Sequence, residues 1–99
     1  MYNRHTALEF DPEKEAKNLA KHGISFDVAF EVFMDPDVVH LEDSRHSATE
    51  PRWYAIGRIR DGRVITVWYT WRDDCVRIIG ACEFRKGRKE YEKRKTSGL

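Results

Sequence analysis

Apolar residues recur with two different periods along the chain, at helical spacing between Asp11 and Pro36 and in alternation from Arg52 to Cys82. Asp11-Pro12-Glu13 predicts a helix start, because Asp accepts from the free amides of the first turn and Pro has no amide to lose there. Gly23 closes this helix, and Ala16, Leu19 and Ala20 give it a narrow apolar stripe with Lys14, Lys17 and Lys21 off it, as for a short amphipathic helix packed on one side. Ser25 caps a second helix whose Phe26, Ala29, Phe30 and Phe33 form a core stripe, and Asp35-Pro36 stops it. Residues 38–41 read as a short strand, and residues 42–51, with almost nothing apolar, as a mobile, exposed loop.

From Arg52 the pattern predicts a hairpin, residues 52–60 and 63–71, closed by Asp61-Gly62 in a two-residue type I′ turn. A third strand, residues 75–82, follows Arg72-Asp73-Asp74, and a basic helix spans residues 85–95. Two N-terminal helices, an antiparallel β-meander and a C-terminal helix make an α+β domain with its helices expected on one side of the sheet. One domain is expected over residues 9–95, with an N-terminal extension (1–8) and a tail (96–99).

A chain of 99 residues with 40% hydrophobic and 35% charged residues is long enough for one modest core and too apolar for disorder. Residues 1–8 hold no apolar leader core, and no run approaches the roughly 18 apolar residues of a membrane span. The expected location is therefore the cytoplasm, with no membrane partner. Cys75 and Cys82, seven residues apart on one strand, are expected on opposite faces about 23 Å from each other, as small core residues that cannot bridge. The net charge of +1 conceals a split: residues 1–30 carry four basic and five acidic groups, residues 31–51 one and six, and residues 52–99 thirteen and six. Such asymmetry suits a polyanion at the basic half and a basic partner at the acidic one, or a solvated surface.

His5, His22, His40 and His46 form no paired metal spacing, and neither a Gly-rich phosphate loop nor a GxSxG elbow is present. No metal or cofactor is expected. His22 before Gly23 suits the negative end of a helix dipole and is also a candidate base. A two-residue turn pairs Arg58 with Ile65, placing Arg58 on a face with Tyr54, Ile56, Val67 and Tyr69. An arginine there calls for an anion. Arg77 joins that face if the next loop has three residues and leaves it if the loop has two. With Arg88 approaching from the terminal helix, these guanidinium groups make a phosphate clamp beside tyrosines that stack on bases, or else they pair with carboxylates.

Phe10-Asp11-Pro12-Glu13-Lys14 and Asn18-Leu19-Ala20-Lys21-His22-Gly23-Ile24-Ser25-Phe26 together resemble the opening motif of the BrnT family of toxins. Ala29 to Phe33, Ile56-Gly57-Arg58, Gly62-Arg63, Thr70-x-Arg72 and Arg77-Ile78-Ile79 are similar to its later blocks in the same order, over residues 9–92. The resemblance implies a RelE-type fold, a ribonuclease that arrests growth, and neutralisation in a hetero-oligomer by a BrnA-type antitoxin, through which alone DNA is bound. For such a chain the expected mechanism is metal-independent attack of the ribose 2′-OH on the adjacent phosphate, leaving a cyclic phosphate. Arg58, Arg77 and Arg88 would stabilise the charge, Glu83, Tyr91 or His22 would move protons, and Arg52, Arg63, Arg72, Tyr69 and Lys86 would hold the RNA. Two departures stand out: Gly80-Ala81-Cys82 replaces Ser-Ala-Arg, and Gly87-Arg88 replaces Glu-Arg in a helix one residue short. The first leaves open a weak or inactive copy that acts as a binding module or operon corepressor with its antitoxin.

Overall fold

In the computed structural model, which describes residues 7–46 and 50–97, the chain enters on a strand, β1 (Ala7–Phe10). Helix α1 (Pro12–His22) follows, then α2 (Phe26–Phe30) running into a 3₁₀ turn (Glu31–Met34), and strand β2 (Val39–Glu42). After a 3₁₀ turn (Ser44–His46) come strands β3 (Trp53–Arg58), β4 (Val64–Arg72) and β5 (Cys75–Cys82), and helix α3 (Arg85–Ser97). The five strands form one mixed sheet in the order β1-β5-β4-β3-β2, in which β1 alone runs parallel to its neighbour. Ala7 and Leu8, read from sequence as an extension, thus open the sheet, and α3 passes residue 95. No helix of the described residues is long and apolar enough to cross a membrane.

Local chemistry places the helix ends as anticipated. Asp11 Oδ1 accepts from Glu13 N–H at 2.9 Å, Gly23 closes α1 at φ 69°, and Ser25 Oγ accepts from Val28 N–H at 3.2 Å. The docking of α1 is different from its apolar pattern: Ala16 and Ala20 are exposed and Leu19 is 50% exposed. Asn18 holds the helix, its carboxamide donating to the Ala81 and Ile24 carbonyls at 2.9 Å and accepting from Ala81 N–H at 3.0 Å. The side chain thereby continues the edge pairing of β5 where β1 ends, satisfying backbone groups that a free edge would leave open.

Helices cover both faces of the sheet, against the expectation of one. Phe26, Ala29, Val32 and Phe33 pack on Ala55, Ile65, Val67, Tyr69, Val76 and Ile78 on one side. On the other, Tyr91 of α3 packs with Val39, Ile56 and Val64. The basic sequence of α3 carries no apolar stripe to announce this second core. The loop after β2 contains Asp43, which is buried at 3% exposure and donates its N–H to the Arg52 carbonyl at 2.8 Å, so the loop is not wholly exposed. Residues 47–49 of that loop lie outside the described residues.

The β3–β4 hairpin closes on three residues, Arg60-Asp61-Gly62, not two. Gly62 N–H donates to the Ile59 carbonyl and Ile59 N–H to the Arg63 carbonyl, both at 2.9 Å, with Gly62 at φ 96°. This is a type I turn followed by a glycine bulge, and it moves the register by one. Arg58 opposes Val64 in place of Ile65, and its face holds Ile56, Tyr54, Thr66 and Trp68, while Tyr69 lies on the other. The two-residue turn occurs between β4 and β5, where Asp73 (φ 49°) and Asp74 (φ 66°) both adopt left-handed backbone. A bulge opposite Trp68 and Tyr69 then shifts β5, so Cys75 and Cys82 oppose Arg72 and Thr66 on one face, not on opposite faces. Both thiols are free.

Gly87 brings α3 onto the sheet. A Cβ there would stand 2.1 Å from Thr66 Oγ1, a buried hydroxyl without a partner among the described residues. The resemblance calls for Glu near this point, and the close approach explains why glycine occupies it. Gly87→Ala is expected to cost about 1–3 kcal/mol in urea unfolding, and Thr66→Ala in the same chain to recover part of that loss by opening the space.

Candidate functional site

The hairpin tip and the first turns of α3 converge on a shallow open cleft lined by Val64, Glu83, Phe84, Arg85 and Arg88. Arg63, just before β4, stands beside it, its guanidinium 3.6 Å from Glu83 and 2.8 Å from Asp61. Arg88 stands half exposed on α3, with its Nε 3.4 Å from Glu92. Arg58, the ladder partner of Val64, donates to the Gly62 carbonyl at 2.6 Å and lays its guanidinium over the Tyr91 ring, 5.8 Å from the centroid. Four arginines, Arg58, Arg63, Arg85 and Arg88, thus collect at this end of the sheet with three surface carboxylates, Asp61, Glu83 and Glu92.

Beneath them lies a residue that the sequence pattern treats only as a helix stop. Asp35 Oδ2 accepts from Tyr91 Oη–H at 2.6 Å and from Arg58 N–H at 2.7 Å, and its Oδ1 accepts from Asp37 N–H at 2.8 Å. Burial alone would raise this carboxyl, but the three bonds and nearby Lys95 outweigh it and hold the group below its ordinary value. Tyr91 is buried at 1% exposure, and burial together with the Asp35 contact pushes its phenol up to about 12. It supports Arg58 from below and is turned away from solvent. Nothing in the spacing of Asp35, Arg58 and Tyr91 along the chain signals this meeting.

Several candidates fall elsewhere. Arg77 shares the face of Arg58 but opposes Thr70, six positions along β4 from Val64, or about 20 Å, and is paired with Glu9. Arg72 pairs with Glu50 at the opposite end of β4, and Arg52 lies just before β3. Tyr69 is buried on the opposite face, its hydroxyl 2.8 Å from His40 Nδ1 and its phenol pushed by burial up to about 12, so it offers no surface for stacking. His22 is exposed at the end of α1. Lys86 lines a separate groove with Leu41, Tyr54 and Phe84. Among the described residues no group of three or more His, Cys, Asp or Glu gathers to hold a metal ion.

Residues 10–90 match a family described as the ribonuclease toxin, BrnT, of type II toxin-antitoxin systems. The chain belongs to the BrnT family. The crystal structure of the Brucella abortus ribonuclease toxin BrnT superimposes with a TM-score of 0.61 at 25% sequence identity, covering 80% of this chain and 96% of that one. No curated protein sequence matches the chain. The span matched to BrnT includes Arg58, Arg63, Glu83 and Arg88 and ends one residue before Tyr91. Within this BrnT chain, Cys82 is half buried opposite Thr66, and burial pushes its thiol up.

Proposed function

We propose that this BrnT family member is a metal-independent endoribonuclease that acts at the hairpin–α3 cleft and is neutralised in a hetero-oligomer by a BrnA-type antitoxin. The gathering of Arg63 and Arg88 with Glu83 at the cleft, with Arg58 opposite Val64 of its wall, is the observation that supports this reading most. The ribose 2′-OH gives its proton to Glu83 and attacks the adjacent phosphorus, and the P–O5′ bond breaks to leave a 2′,3′-cyclic phosphate. The departing 5′ oxygen takes its proton from solvent, to which the cleft is open. Arginine stays protonated and acts through charge, with paired N–H donors matching phosphate oxygens. The phosphate path continues along the basic surface that includes Lys86, while Arg77 ties β1 to the sheet through Glu9.

The acidic segment, residues 31–50, suits basic residues of the antitoxin, and DNA is reached only through that partner. Cys82, standing where the motif leads to arginine, favours a second reading in which this copy is a protein-binding module. Induction of the chain in cells, with and without the product of the neighbouring gene, separates the two. Growth arrest with fragmented total RNA, both reversed by the neighbour, is expected; intact RNA in growing cells that hold folded protein would establish the binding module.

A further inference from the structure

Next to the arginine cluster, α3 covers Ile56, Val64 and Thr66 but leaves the following row of the sheet, Tyr54, Trp68 and Gly80, beyond its first turn. Tyr54 and Trp68 meet edge to face with centroids 5.4 Å apart, and Phe84, 43% exposed, lies 6.3 Å from Trp68 at a 51° tilt. Gly80, directly opposite Trp68, places no side chain against the indole. Arg45 and Lys86 flank the groove of about 430 Å³ that runs between Tyr54 and Phe84. Its one carboxylate, Glu90, is paired with Arg94 at 2.6 Å.

We propose that this aromatic cluster is a base-stacking subsite for single-stranded RNA, with Phe84 and Trp68 taking bases from the strand whose phosphate enters the Glu83–Arg88 cleft. The inference rests on the ribonuclease reading above. Phe84 lines both the cleft and the groove, so one ring borders the two. Trp68 stands four positions along β4 from Val64, about 13 Å from the cleft wall. One exposed ring, Phe84, beside the half-buried Trp68 and Tyr54 and flanked by cations suits sequence-tolerant binding of single strands, since every base has a stacking face and the backbone needs neutralising charge. A docking surface for an apolar protein segment would explain the rings but not the flanking Arg45 and Lys86. The cluster also supplies the stacking that Tyr69, buried on the other face, does not.

The test measures binding, not turnover, of a 2′-O-methyl uridine hexamer, which has no free 2′-OH to attack, and of an abasic sugar-phosphate hexamer of equal charge, at fixed salt. Phe84→Ala is expected to weaken the uridine hexamer about tenfold, leaving the abasic hexamer unchanged, and Phe84→Tyr to retain tight binding. Quenching of tryptophan fluorescence by the uridine hexamer but not by the abasic one gives a second reading on unaltered protein. Equal effects on both hexamers, or no effect on either, would overturn the subsite, as would loss of antitoxin binding alone. If stacking is observed while natural RNA stays uncut, the subsite stands and the ribonuclease reading fails.

Discussion

Arg88→Ala and Arg58→Ala are each expected to slow RNA cleavage by about a hundredfold or more, with growth arrest on induction lost in parallel. Charge grows on the non-bridging phosphate oxygens as the 2′ oxygen attacks, and a cation already fixed beside them stabilises the transition state more than the ground state. The loss should therefore fall mainly on kcat, and Lys should restore it incompletely, because an ammonium cannot present two parallel donors. The two variants differ in their structural cost. Arg88 is half exposed and carries only a surface pair with Glu92, so its removal should leave stability within about 0.5 kcal/mol. Arg58 also covers the Tyr91 ring and ties the hairpin turn through Gly62, so its variant needs a melting curve beside the kinetics. Arg77→Ala is the control: about 20 Å from the cleft and bonded to Glu9, it should disturb the β1–β5 pairing without this loss in kcat. Cleavage reduced alike by all three would place the chemistry away from the hairpin–α3 cleft.

The parts of this molecule that were legible in sequence are those governed by local chemistry. Asp11, Pro12, Gly23 and Ser25 act within one helical turn of themselves, and the strand-forming runs between residues 52 and 82 do become β3 to β5, although most of β4 is buried on both faces. What was not legible depends on single-residue offsets or distant partners. Asp61-Gly62 suits a two-residue turn, yet the chain closes one residue wider, and this single step carries Arg58 to the face opposite Tyr69. The Asp73-Asp74 turn fixes the parity of Arg77, which then shares a face with Arg58 after all, but the length of β4 separates them. Four residues of β1 are too few to show a period, and α1 docks through Asn18, whose polar side chain no hydrophobic pattern reveals. The arginine-rich half was evident from charge counts; which of its arginines meet was a matter of register.

Asp35→Ala should produce the largest loss of stability among polar substitutions, about 2–3 kcal/mol in urea unfolding at neutral pH. One carboxylate serves three donors, and its removal leaves the buried Tyr91 hydroxyl and the Arg58 amide without their acceptor. Asp35→Asn keeps the volume but loses the charge, so its difference from the parent should depend on pH in a defined sense. The folded carboxyl titrates below its ordinary value near 3.8, so its contribution is fully present above that value and is lost as pH falls through the lower folded one. The stability gap between parent and Asp35→Asn should therefore be constant from about pH 5 to 7 and close progressively below about pH 4. Tyr91→Phe removes one of the three donors and should narrow that dependence, leaving the bonds to Arg58 and Asp37. Because Asp35 also fixes the backbone of Arg58, the same variants should lower kcat for RNA at temperatures where each is fully folded. A gap unchanged down to pH 2, or a folded Asp35→Ala with parental kcat, would remove Asp35 from its place beneath the cleft.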